Sequence, residues 1–133
     1  MARTSGELHF DRDIRLVIRE RLVYNRLPMR IDWYGYEVWQ GENKLYWYDS
    51  QPHPDALLLA STHPHHKHIH PNIKHHRIPA PEMSFTKPNL TVLIKETQNW
   101  FISWIRKIDL RSCFRSCHEG SKTQRNHKRH QKS

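Results

Sequence analysis

Ile31-Asp32-Trp33-Tyr34-Gly35-Tyr36-Glu37-Val38-Trp39-Gln40-Gly41-Glu42-Asn43-Lys44-Leu45-Tyr46-Trp47-Tyr48-Asp49 is the stretch whose reading decides the fold. Aromatic and β-branched side chains crowd both arms, and such side chains pack well on a pleated strand surface. Gly41-Glu42-Asn43 reads as a tight turn, so Lys44–Asp49 returns as the hairpin partner of Ile31–Gln40. Trp33, Tyr34, Tyr36, Trp39, Tyr46, Trp47 and Tyr48 fall on both faces of the hairpin. One face is expected to form the core, held in register by cross-strand aromatic pairs. The other is then free as a stacking platform for bases or as a partner surface.

Upstream, Asp13–Tyr24 alternates, with Ile14, Leu16 and Ile18 on one side and Arg15, Val17 and Arg19 on the other, which favours a strand, although Arg15–Arg21 could also be helical. Arg26-Leu27-Pro28 ends it. Downstream, seven of the eight prolines lie between Asp49 and Pro88, which excludes a long helix and leaves short strands joined by rigid turns. Leu57-Leu58-Leu59-Ala60 is expected to anchor this segment to the core, and His75-His76-Arg77-Ile78 to supply a further short strand. Asn89 then stands as an N-cap. Leu90, Ile94, Thr97, Phe101, Ile105 and Ile108 recur at helical spacing, with Lys95, Glu96, Arg106 and Lys107 opposite. A helix from Asn89 to Ile108 lying across the sheet is the expectation, although Trp100, Phe101 and Trp104 would also suit a membrane interface.

The fold class expected is therefore α+β, a small antiparallel sheet covered by a C-terminal amphipathic helix. At 133 residues this is one domain, over 1–110. A basic tail follows over 111–133. Arg111, Arg115, Lys122, Arg125, Lys128, Arg129 and Lys132 face a single acid there, Glu119, so most of the formal net charge of +9 sits in the tail. Such a tail reads as disordered or as a nucleic-acid arm. Met1–Gly6 lacks the apolar run of a secretion signal, and no stretch is long and apolar enough to span a bilayer, so the expected location is cytoplasmic. Cys113 and Cys117 read as incidental thiols rather than a disulfide framework.

Eight of the twelve histidines lie between His53 and His76, which concentrates the titratable chemistry. Three roles fit them. Metal binding is one, with His63, His65, His68 and His70 as ligands, but neighbouring residues on an extended chain point alternately apart. Acid–base cleavage of an RNA phosphodiester is the second. It needs a base for the 2′-hydroxyl proton, an acid for the leaving oxygen and a cation for the phosphorane. His65, His66 and His68 supply the imidazoles, Lys67 and Arg77 the cations, and Asp49 an orienting carboxylate. The third role is structural, with imidazoles satisfying loop carbonyls.

Tyr46-Trp47-Tyr48-Asp49-Ser50-Gln51-Pro52-His53-Pro54, followed by Ser61-Thr62-His63-Pro64-His65-His66-Lys67-His68, resembles the paired motif of the TumE-like toxins of bacterial and archaeal toxin–antitoxin modules. The resemblance runs from about Asp32 to Ile94. The matching residues are Asp49, Pro52, His53, Pro64, His65, His66, Lys67 and His68, and the sequence before Asp32 reads as too short for a full meander. The resemblance implies the toxin of a type II module, with a helix-turn-helix antitoxin as partner and a fold RelE-like by analogy. It further implies an endoribonuclease-like activity on RNA needing neither metal nor other cofactor. His65, His66, Lys67, His68, Asp49 and His53 are then the catalytic candidates, with Trp47 and Arg77 binding substrate. The alternative is a non-catalytic nucleic-acid- or metal-binding module with a His-rich loop.

Overall fold

The computed structural model describes residues 1–127, and side chains through residue 111. Two compact units divide the chain, Met1–Ile94 and Lys95–Ser133. The first carries a six-stranded antiparallel sheet in sequence order, β1 Ala2–Phe10, β2 Ile14–Val23, β3 Arg30–Gln40, β4 Asn43–Asp49, β5 His66–His68 and β6 Arg77–Pro79. A 3₁₀ helix, Leu57–Thr62, precedes β5, and α1, Leu90–His127, follows β6. The expected α+β class is present as this sheet and a C-terminal helix. In the second unit α1 continues from Lys95 to His127. The expected basic tail over 111–133 falls on residues whose side chains, beyond 111, lie outside the described ones.

Strand β1 corrects the expectation that the region before Asp32 is too short for a meander. Its Ala2–Phe10 segment is polar and mostly exposed, so it lacks the alternation that marked β2. Backbone pairing with β2, from Ala2–Leu22 to Phe10–Ile14, defines it instead. The β3–β4 hairpin forms as expected around Gly41, whose φ of +56° suits a residue without a Cβ.

Side chains alternate between the two faces of each strand, and directly paired residues share a face. One face collects Ile14, Leu16, Tyr34, Tyr36, Val38, Tyr46 and Tyr48, all buried. Tyr34 and Tyr36 stack there with ring centroids 4.7 Å apart. The connection after β6 closes over this face: Phe85 packs edge-on against Tyr34, and its carbonyl accepts from the Ile31 amide at 2.9 Å. The Tyr36 hydroxyl donates to Glu20 at 2.5 Å and accepts from the Asn89 amide at 3.0 Å. Asn89 precedes α1 as expected, but its side chain bonds Tyr36 and Ser84, tying the start of the helix to the core.

Of the leucines expected to anchor the proline-rich segment only Leu59 does so. It is 4% exposed, against 87% for Leu57 and 83% for Leu58. Three consecutive residues of a 3₁₀ turn point in three directions, so one can face inward.

Candidate functional site: a carboxylate–imidazole cluster at the rim of the sheet

The opposite sheet face is built from Arg15, Arg19 and Arg21 on β2, Trp33, Gly35, Glu37 and Trp39 on β3, Trp47 and Asp49 on β4, His66 and His68 on β5, and Arg77 on β6. These positions pair across the strands as Arg15–Trp39, Arg21–Trp33, Glu37–Trp47, Trp47–His68, Asp49–His66 and His68–Arg77. The face combines cations with tryptophans in alternation. The Arg15 guanidinium lies 5.0 Å from the Trp39 ring, and Lys44 Nζ lies 5.0 Å from Trp39 and 5.1 Å from Trp47. Trp47 in turn stacks on His68. Glu37 holds the middle of the row, accepting from the Trp39 indole at 2.9 Å and from Lys44 at 3.2 Å. Burial alone would raise the Glu37 pKa, but the Trp39 indole and the Lys44 charge hold it below the usual value.

At the end of this row Asp49, His66 and His68 come together, each buried, with one potential ligand atom apiece lying within 4.8 Å of the others. The local sequence explains the arrangement. In a three-residue strand His-Lys-His, period two sends both histidines to one face and the lysine to the other. Pairing with β4 then sets His66 against Asp49 and His68 against Trp47. Both imidazoles are fixed through Nδ1: His66 donates to the Pro64 carbonyl at 3.0 Å and His68 to the Ile73 carbonyl at 2.9 Å. Their Nε2 atoms face each other at 3.2 Å. Asp49 is oriented from the backbone, its Oδ1 accepting from the Gln51 amide at 2.8 Å. Burial pushes the His68 pKa down to about 4, so this imidazole is neutral near pH 7.

His53 sits beside the pair, its ring 5.0 Å from that of His66 and edge-on to it, and it is half-buried. Desolvation and the charge of Arg77 lower its pKa. Arg77 belongs to the same face, and its Nε is buried without a hydrogen-bond partner.

Two other sequence candidates lie elsewhere. Lys67 projects to the core face, with Nζ 4.1 Å from the Tyr46 ring centroid and 5.1 Å from that of Tyr48. His65 shares a 2.7 Å hydrogen bond with the Tyr34 hydroxyl and packs on Phe85, and burial lowers its pKa. Of the expected metal ligands only His68 belongs to the cluster. His63 is exposed, and His70 donates to the Lys44 carbonyl at 2.8 Å. A groove of about 560 Å³ lies on the other side of the sheet, lined by Leu8, Ile18, Leu22, Ile31 and Phe85, away from the titratable cluster. Sequence reasoning missed the role of Trp39 and Arg15 in the row; the signal available was their cross-strand pairing, which needs the register.

Fold and site together define a small α+β protein whose buried carboxylate–imidazole cluster closes one end of a cationic, tryptophan-bearing sheet face. The model of the family described as Toxin TumE matches residues 1–101, and the chain belongs to this toxin family. The match begins at residue 1 and passes Ile94, so β1 and the first turns of α1 are parts of the family's domain, which the sequence resemblance had confined to about Asp32–Ile94. Membership implies an antitoxin partner. No curated protein and no solved structure matches the chain. Among the described residues no helix is long and apolar enough to cross a membrane.

Proposed function

We propose that this toxin acts on RNA and cleaves it, in the cytoplasm, and that a helix-turn-helix antitoxin encoded beside it is the partner that restrains it. The observation that carries this reading is the position of the Asp49–His66–His68 cluster at the end of the row formed by Arg15, Trp39, Lys44 and Trp47. Cations attract the phosphate backbone whatever its sequence, and half-buried indoles such as Trp39 and Trp47 can still offer an edge or face to unpaired bases. A single strand laid along the row would bring a phosphodiester to the cluster.

In the cleavage proposed, the 2′-hydroxyl oxygen attacks the neighbouring phosphorus and loses its proton to an imidazole. The P–O5′ bond breaks, and the 5′-oxygen takes a proton from solvent water, giving a 2′,3′-cyclic phosphate and a 5′-hydroxyl end. His53, half-exposed and with a lowered pKa, is the imidazole for the first proton. Arg77 pairs with a phosphate oxygen, and Trp47 stacks on a base. Arg77, on the sheet face that carries the buried trio, supplies the positive charge that neutralises the phosphorane. His65 and Lys67 are assigned to support of the core face rather than to the chemistry. The domain carrying this activity ends near Leu110, and the tail over 111–133 adds sequence-independent affinity for RNA.

Purified protein incubated with single-stranded RNA should produce ends bearing 2′,3′-cyclic phosphate, and expression without antitoxin should arrest growth. Intact RNA together with unhindered growth, both unchanged by His53→Ala, would overturn the proposal.

A further inference from the structure

We infer that Asp49, His66 and His68 form a binding site for a divalent first-row transition cation of the zinc class. The argument begins with proton counting. A carbonyl oxygen cannot donate, so the contacts to Pro64 and Ile73 require a hydrogen on Nδ1 of both His66 and His68. A neutral imidazole carries one N–H. Each Nε2 therefore presents a lone pair, and the two lone pairs face each other at 3.2 Å in a site where both rings are at most 2% exposed. The carboxylate of Asp49 completes a third Lewis-basic corner within 4.8 Å. Three buried acceptors converging with no donor among them repel one another unless an electrophile binds between them.

The spacing fits a cation of a particular size. Zinc lies about 2.0–2.1 Å from imidazole nitrogen, and at that length an edge of 3.2 Å subtends about 100° at the metal, close to tetrahedral. Calcium and magnesium take oxygen-dominated shells, which two imidazoles and one carboxylate do not supply. The Nδ1–carbonyl contacts are the outer-shell bonds that hold a ligating histidine in its tautomer and raise its basicity. Three protein ligands leave at least one position open, as at catalytic rather than structural zinc sites, and Arg77 on the same face favours an anionic fourth ligand.

The site rests only on this geometry, but its chemical use rests on the RNA reading above. There the cation would replace the metal-free chemistry expected from the sequence, neutralising charge on the phosphate while His66 and His68 serve as ligands rather than as proton carriers.

Full-length, untagged protein stripped with chelator and titrated calorimetrically with zinc chloride, in the absence of RNA, should bind one equivalent at this site. Affinity should fall at least 100-fold in His68→Gln and at least 10-fold in Asp49→Asn, and should stay within 3-fold in His63→Ala, His75→Ala and Cys113→Ser/Cys117→Ser. Cobalt(II) added to the unsubstituted protein should give visible absorption of tetrahedral intensity, which weakens in Asp49→Asn. That signal decides the question even where His68→Gln fails to fold. Binding that survives Asp49→Asn and His68→Gln but is lost with the exposed histidines or the cysteines, or no binding at all, would overturn the site. Stoichiometric zinc binding by a protein that leaves RNA intact would retain the site and remove only the RNA reading.

Discussion

Trp47 lies flat against His68, their ring centroids 3.8 Å apart and their planes 17° from parallel, across a directly paired position of β4 and β5. The indole thus covers one side of an imidazole whose edge is already fixed by the Ile73 carbonyl, and the ring retains little freedom. Such aromatic contacts are worth about 0.5–1.5 kcal/mol beyond burial. Trp47→Ala should accordingly lower RNA cleavage by about 3- to 10-fold at saturating substrate, and further below saturation if a base also stacks there, whereas Trp47→Phe should recover most of the rate. Steady-state kinetics on a short single-stranded RNA separates the two effects.

The tryptophan–cation row predicts a salt signature. Arg15 sits over Trp39, about one-third exposed, where its guanidinium can meet a phosphate. Arg15→Ala should weaken RNA binding similarly for all sequences and reduce the slope of log affinity against log salt by about 0.7, the value for one phosphate contact on a single strand. Fluorescence anisotropy at several salt concentrations tests this; a sequence-selective loss with the slope unchanged would remove Arg15 from the binding face.

Lys67 provides the opposite control. It lies within the family motif but projects toward Tyr46 and Tyr48, away from His66 and His68. Lys67→Met, which keeps the stem and removes the charge, should leave the cleavage rate within about 3-fold and cost about 0.5–2 kcal/mol of stability through the lost cation–π contact. A hundredfold loss of activity with the fold intact would return Lys67 to the catalytic set.

Stability in the presence of chelator should fall with acid. The folded-state pKa of His68 is depressed to about 4 by burial, below its ordinary value near 6.5. Between these values the unfolded chain binds the proton and the folded chain does not, so acid favours unfolding. The contribution of neutral His68 is complete above about pH 6.5, is lost as pH falls toward 4, and amounts to on the order of 2–3 kcal/mol. Urea unfolding at pH 7.5 and pH 4.5 should show this difference for the unsubstituted protein, and a smaller one for His68→Gln.

Tyr36→Phe should destabilise the domain by about 1–3 kcal/mol. It removes a hydroxyl that Glu20 and Asn89 share and leaves the Asn89 amide short of an acceptor at a position 1% exposed. Denaturant melts measure the loss; the zinc affinity of the folded fraction should not change.

The hairpin was legible because its signals are local. Aromatic and β-branched residues on both arms and a glycine at the turn determine Ile31–Asp49 without help from the rest of the chain. The strand from Ile14 was readable for the same reason. Strand β1 was not, because Ala2–Phe10 is specified by pairing with β2 and its exposed residues show no apolar alternation. The site divided along the same line. Asp49, His53, His66 and His68 were named from the motif, Trp47 lies within it, and Arg77 was named as a cation for phosphate; the fold brings them together on one side of the sheet. His65 and Lys67 were named with them because sequence proximity does not reveal which side of the sheet a residue occupies. The partners of Nδ1, which fix both tautomers, come from backbone carbonyls of Pro64 and Ile73, and carbonyls leave no trace in the residue letters.

The alternation within β5 also makes folding a form of quality control. A shift of one residue in the pairing of β4 and β5 would carry Lys67 into the cluster and turn His66 and His68 into the hydroxyl-rich tyrosine side of the sheet. The misaligned chain would place a flexible ammonium at the proposed cation site, and would leave the Tyr46–Tyr48 surface without its lysine. A chain that has paired wrongly is thus disarmed by the same displacement that destabilises it. For a cell that makes a protein able to harm it, the armed state is restricted to molecules whose sheet is correctly aligned.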